Sequence, residues 1–150
     1  MKLAEALLLR ADLKKKLASL RERIGRNALL QEGETPKEKV EDLLAEAYSA
    51  LQEQQSLVRR INAANESAKL PDGRLLADVL ALRDTLIAQH SLLISTISAT
   101  NKDVDRYSQR EIKWVPQIQV ASLQKQADDL SRNIREVNVA VQAANWQIDI

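Results

Sequence analysis

Residues 120–145, VASLQKQADDLSRNIREVNVAVQAAN, decide the fold class. Val120, Leu123, Ala127, Leu130, Ile134, Val137, Val141 and Ala144 recur at steps of three and four. That period places them on one face of an α-helix, whereas a strand would alternate every second residue. Neither Gly nor Pro interrupts the run.

The same period extends over most of the chain. Helix 1 is expected over 2–30, on Leu3, Ala6, Arg10, Leu13, Leu17, Leu20, Ile24 and Asn27. Gly33, Thr35 and Pro36 then make a turn, with Thr35 as N-cap, Pro36 as first helical residue and Glu38 closing a capping box. Helix 2 is expected over 36–68, on Val40, Leu44, Ala47, Leu51, Gln54, Val58, Ile61 and Asn65. Pro71-Asp72-Gly73 is a turn. Helix 3, over 74–98, carries Leu76, Val79, Arg83, Leu86, His90, Leu93 and Ile97, while Leu75, Leu80, Leu82, Ile87, Leu92 and Ile94 widen its apolar surface beyond one stripe. Helix 4 closes the set at 120–145. The expected fold is mainly α: four long amphipathic helices in an antiparallel bundle or coiled coil, forming one domain over 1–150. Short turns run helices 1, 2 and 3 up, down, up; the long connection before helix 4 leaves its direction open. The excess apolar surface of helix 3 calls for burial on several sides or for contact with another copy of the chain.

That connection, residues 99–119, reads ATNKDVDRYSQREIKWVPQIQ and holds Tyr107 and Trp114, half of the aromatics; Tyr48 and Trp146 are the others. Bundle loops usually run about 2–8 residues, and longer structured ones more often carry function. Within it, residues 110–115 alternate polar and apolar until Pro116, and the tail 146–150, WQIDI, alternates too. Two short strands pairing with each other are expected there; an extended loop and a frayed tail are the alternative.

The chain has 150 residues, no Cys, and 22 Lys and Arg against 21 Asp and Glu, for a net charge of +1. Disulfides, thiolate metal sites and cysteine catalysis are therefore excluded. The missing cysteines fit a reducing compartment, and a cytoplasmic location is expected. A near-neutral balance gives no global attraction to nucleic acid or anionic membrane. The opening MKLAEALLLRADLKKK reads as helix rather than as a signal peptide, and no stretch is apolar enough to span a membrane.

Few constellations point to chemistry. His90 is the only histidine and sits on the helix 3 seam, so a hydrogen-bonded core or interface residue is the simple reading; a di-iron bundle would need a second histidine. Asn101, Asp103, Asp105 and Tyr107 are spaced like calcium ligands, but Arg106 and Ile112 stand where such a loop needs Gly and Glu, leaving an Asx-rich turn. Helix 1 carries Arg10, Lys14, Lys15, Lys16, Arg21, Arg23 and Arg26, and helix 2 faces it with Glu38, Glu41, Asp42, Glu46 and Glu53. Interhelical ion pairs account for both sets, and nucleic-acid binding is not expected. No cofactor or metal is expected.

Two groups remain as candidate sites. Arg106, Tyr107, Arg110, Glu111 and Trp114, together with Trp146, have the composition of an interface anchor. Asn62, Asn65, Asp72 and Arg74 form a second polar cluster at the helix 2–3 turn; Asn145 and Trp146 join it if helix 4 runs antiparallel to helix 3.

Five segments also carry a resemblance: MKLAEAL at the start, INAANESAKLPDGR at the helix 2–3 turn, DRYSQREIKWVPQI in the connection, QADDLSRNIRE in helix 4, and AANW near the end. Together they resemble an uncharacterised bacterial helical family sometimes labelled septicolysin-like. The resemblance implies a small helical protein of unknown function with no catalytic residues to carry over. The label implies a cytolysin, which the absence of a secretion signal and of a spanning segment does not support.

Two functional readings follow. The first is a non-enzymatic scaffold or interaction protein that self-associates through the 101–118 connection. The second is a small-molecule or anion-binding protein, with or without catalysis, whose site lies in 105–114 or at the helix 2–3 turn. The nature of a foreign protein or small-molecule partner is left open.

Overall fold

A computed structural model describes residues 1–101 and 113–150. It contains four helices, α1 (Leu3–Ala28), α2 (Val40–Ser67), α3 (Leu76–Ser98) and α4 (Val120–Gln147). Their contacts gather into two compact units: Met1–Leu76 with Gln142–Ile150, and Ala77–Val141.

In the first unit α1 and α2 form an antiparallel hairpin. Lys16 Nζ lies 2.9 Å from Glu46 near the middle, and Arg23 pairs with Glu38 at the loop end. The buried seam takes Leu3, Ala6, Leu13 and Leu20 from α1 and Leu43, Ala50, Leu57, Ile61 and Ala64 from α2. On α1 these lie on the expected stripe. On α2 the first half of the seam sits one residue earlier than expected: Leu43, Ala50 and Leu57 are buried, while Leu44 and Val58 are half-covered and Leu51 is exposed. A stripe wider than one row leaves the facing row to be chosen by the partner helix.

The start of α2 also differs. The helix begins at Val40, so Thr35 and Pro36 lie in the loop and no capping box forms there. Asn27, in the last turn of α1, intervenes. Its Oδ1 accepts the backbone N–H groups of Lys37 at 2.9 Å and Glu38 at 3.2 Å, and its Nδ2 donates to the Arg23 carbonyl. Glu38, held by Arg23, serves the ion pair rather than a cap. Gly33 makes the turn at φ +91, a conformation that costs a residue with a Cβ about 1–2 kcal/mol.

In the second unit α3 and α4 run antiparallel, which resolves the direction of helix 4. Ser131 Oγ and His90 Nε2 are 3.0 Å apart, and Thr96 in the last turn of α3, with Ala99 and Thr100 just after it, lies beside the residues that lead into α4 (Trp114 to Ile118). Among the described residues of this unit only Val79, Ala127 and Val141 are buried.

The two expected strands are corrected. Among the described residues there is no strand, only two isolated antiparallel bridges, Lys2 with Asp149 and Lys69 with Leu75. Residues 110–112 lie outside the described part, and 113–115 have no regular structure. In the tail, Trp146 and Gln147 finish α4, because the helical ladder continues until Ile148 N–H reaches the Ala144 carbonyl at 2.9 Å. Only Asp149 bridges, and its mate is Lys2, not the 110–115 segment.

These bridges reveal a duplication. Leu3 N–H donates to the Ile148 carbonyl and Ile150 N–H to the Met1 carbonyl, each at 2.9 Å. Leu76 N–H donates to the Ala68 carbonyl and Leu70 N–H to the Arg74 carbonyl, again at 2.9 Å. The start of α3 therefore meets the end of α2 as the start of α1 meets the end of α4. The sequence agrees: LAEALLLRADL (3–13) and LADVLALRDTL (76–86) share six of eleven residues, and Ala63-Ala64-Asn65 recurs as Ala143-Ala144-Asn145. Both α2 and α4 have 28 residues. The chain is one helical hairpin written twice.

Candidate functional site

The residues of the first candidate group do not all fall within the described structure. Arg106, Tyr107, Arg110 and Glu111 lie outside it, as do Asp103 and Asp105 of the Asx-rich turn. Trp114 is described and is 73% exposed, and Val115 beside it is 68% exposed. Pro116 follows, and Gln117 Nε2 donates to the Val115 carbonyl at 3.2 Å. These residues line an open groove of about 330 Å³ with Thr96, Ala99, Thr100 and Ile118. Trp146 occupies the last turn of α4 in the other unit and is 55% exposed. Its neighbour Asn145 is buried.

The second candidate cluster divides by role. Asp72 and Arg74 hold the α2–α3 turn together. The Asp72 carboxylate accepts Arg74 N–H at 3.1 Å and Arg74 Nε at 2.9 Å. The Arg74 hydrogen bonds hold the Asp72 carboxyl below its ordinary range, and the same pairing raises the Arg74 guanidinium. Gly73 supplies the turn at φ +88. Asn62 faces solvent and Asn65 is half-covered, three residues apart on α2. The Asp72–Arg74 pair satisfies itself and directs no free charge toward either asparagine.

Periodicity alone does not point to two further places. One groove, of about 610 Å³, lies at the α1–α2 loop and is lined by Arg23, Arg26, Asn27, Lys37 and Glu38 among others. Its charges are largely matched, Arg23 with Glu38 and Arg26 with Glu22. The hydrogen bond from Arg23 keeps the Glu38 carboxyl below its ordinary range. The other is the His90–Ser131 contact. A serine hydroxyl beside an imidazole is half of a nucleophilic arrangement, which also needs an acid on the far ring nitrogen and donors for an oxyanion. Among the described residues no carboxylate holds the His90 ring, and both residues lie inside long helices whose backbone N–H groups are already used. No group of His, Cys, Asp or Glu among the described residues could hold a metal ion.

The fold and these sites define a duplicated helical-hairpin protein whose grooves are open and whose turn charges pair with each other, Arg23 with Glu38 and Arg74 with Asp72. No described helix is long and apolar enough to cross a membrane. The chain belongs to a family of unknown function, DUF6847, which matches residues 10–150. It is similar over nearly its whole length to a functionally unknown conserved protein from Corynebacterium diphtheriae, known from a crystal structure. The two are 33% identical with a TM-score of 0.90, over 98% of this chain and 96% of that one. No curated protein matches the chain. Neither description carries the septicolysin label.

Proposed function

We propose that this is a non-enzymatic helical protein that works by associating with copies of itself, with the 101–118 connection forming part of the contact. The observation that carries the reading is the exposure of Trp114 and Val115, 73% and 68%, side by side at the entrance to α4. Tryptophan is among the commonest residues to dominate a protein interface, because it buries a large rigid surface at little entropic cost. The Arg and Tyr residues just before it in the sequence, Arg106, Tyr107 and Arg110, have the same character. Sedimentation velocity over a concentration series tests the reading. The wild-type chain should associate, and Trp114→Ala should weaken the association by about tenfold or more, the loss of one central anchor. A wild-type chain that stays monomeric throughout removes the proposal.

A further inference from the structure

The duplication makes each hairpin a control for the other. Aligning α1 with α3 through the shared LA...L.LR pattern sets residue 3 against 76, and so 14, 19 and 21 against 87, 92 and 94. On α3 these positions are Ile87, Leu92 and Ile94, exposed by 46%, 68% and 38%. On α1 they are Lys14, Ser19 and Arg21, all exposed. The same hairpin thus folds with charged and polar residues on these faces, so pairing with α4 does not require the apolar residues of α3. No Asp, Glu, Lys or Arg occurs from 85 to 101.

We infer that the outer face of α3, over 80–97, is where a second copy of the chain docks, α3 against α3 around a two-fold axis. This rests on the self-association reading above and names its main surface. Charge selects the occupant. A two-fold contact sets the same patch against itself, so charged residues near the axis would meet their own kind. Within 80–97 the charged residues Arg83 and Asp84 pair with each other at 3.0 Å, and the uncharged stretch 85–97 avoids that repulsion and offers a foreign partner no charge to steer it. The residues facing outward, Ala81, Ala88, Ser91 and Ser95, are small and exposed, which lets two helices approach closely. Size explains why Trp114 belongs to the same contact. A 23-residue helix is about 35 Å long and 10 Å wide, a face of about 350 Å², whereas stable interfaces take about 800 Å² per partner. Trp114 and Val115 line a groove with Thr96, Ala99 and Thr100, and so extend the α3 surface at its C-terminal end.

The test uses the full chain with Ile87→Lys and Ile94→Arg combined, which gives α3 the residues that α1 carries at the matching positions. Sedimentation velocity should show the association constant falling by tenfold or more, with the far-UV circular dichroism unchanged. Leu29→Lys, in the exposed loop after α1, should leave association intact. A wild-type dimer that persists in the double variant overturns the α3 surface while leaving self-association standing; a monomeric wild type overturns both. Should the double variant lose helix, cross-linking decides. The chain has no cysteine, so Ala88→Cys and the matching Lys15→Cys can be treated with a short bifunctional thiol reagent. Covalent dimers from Ala88→Cys and not from Lys15→Cys support the α3 pairing, and their absence from Ala88→Cys overturns it.

Discussion

Replacing Leu76 by alanine tests both the core and the duplication. Leu76 is wholly buried, its N–H donates to the Ala68 carbonyl, and Leu3, also wholly buried, holds the matching place with its N–H on Ile148. Leucine to alanine removes three carbons. Lost transfer from water at about 0.8 kcal/mol per methylene gives about 2.4 kcal/mol. Full burial adds a cavity contribution, bringing the expected loss to about 3–4 kcal/mol, within the range of such substitutions. For a chain of this size that lowers the melting temperature by about 10 °C. Leu3→Ala should cost about the same, because the two sites are equally buried and carry equivalent backbone bonds. Leu8→Ala, at an exposed site on α1, should stay within about 0.5 kcal/mol. Urea unfolding followed by circular dichroism gives all three values. A Leu76→Ala loss no larger than that of Leu8→Ala would refute the buried assignment. A gap of more than about 2 kcal/mol between Leu3→Ala and Leu76→Ala would refute the equivalence of the two junctions, since a spread of that size spans the range seen at unrelated core sites.

Two other expectations follow from local structure. Gly25 lies inside α1 with nothing within 4 Å of the place a Cβ would occupy, so Gly25→Ala should raise stability by about 0.5–1 kcal/mol; Gly73 turns at φ +88, so Gly73→Ala should lower it by about 1 kcal/mol, and thermal melts of the two variants should move in opposite directions. The carboxyls of Glu38, Asp72 and Asp149 are held below their ordinary range, chiefly by hydrogen bonds from Arg23, Arg74 and Lys2. Their contribution is complete above the unfolded carboxylate pKa and is lost as pH falls through the lower folded values. The urea midpoint should therefore be flat from about pH 7 to 5 and decline below about pH 4, with Glu38→Gln removing part of the decline; a midpoint that rises on acidification would contradict the pairing.

How far the fold can be read from the chain differs by element. On α1 the expected stripe supplies the buried Leu3, Ala6, Leu13 and Leu20, while its Arg10, Leu17, Ile24 and Asn27 are half-covered and Ala4, beside the stripe, is buried as well. On α2 adjacent apolar residues such as Leu43-Leu44 and Leu57-Val58 leave two candidate rows, and packing against α1 selects the earlier one. The Thr35-Pro36 start is a sound local signal that loses to Asn27, ten residues upstream of the Lys37 backbone it accepts. The duplication is present in the letters of 3–13 and 76–86, but it becomes evident only once the matching backbone bonds draw the two segments into register. At the candidate sites, Asp72 and Arg74 have a sequence signature shared by ligand sites and tight turns, and their geometry makes them a turn. Trp114 is recognisable from its type and position, since an aromatic in a long polar connection has few ways to be buried locally.

By itself the sequence determines four helices, their approximate ends, and the excess of apolar surface on the third. Those properties depend on residues three and four apart, which the chain places side by side as soon as a helix forms. The tertiary structure alone decides which ends meet. Lys2 reaches Asp149 across 147 residues, and Lys69 rather than a distant strand meets Leu75. Such contacts follow from how helices stack and leave no period in the sequence. The tail therefore looks like a strand by alternation, yet it ends a helix and clasps the start of the first one.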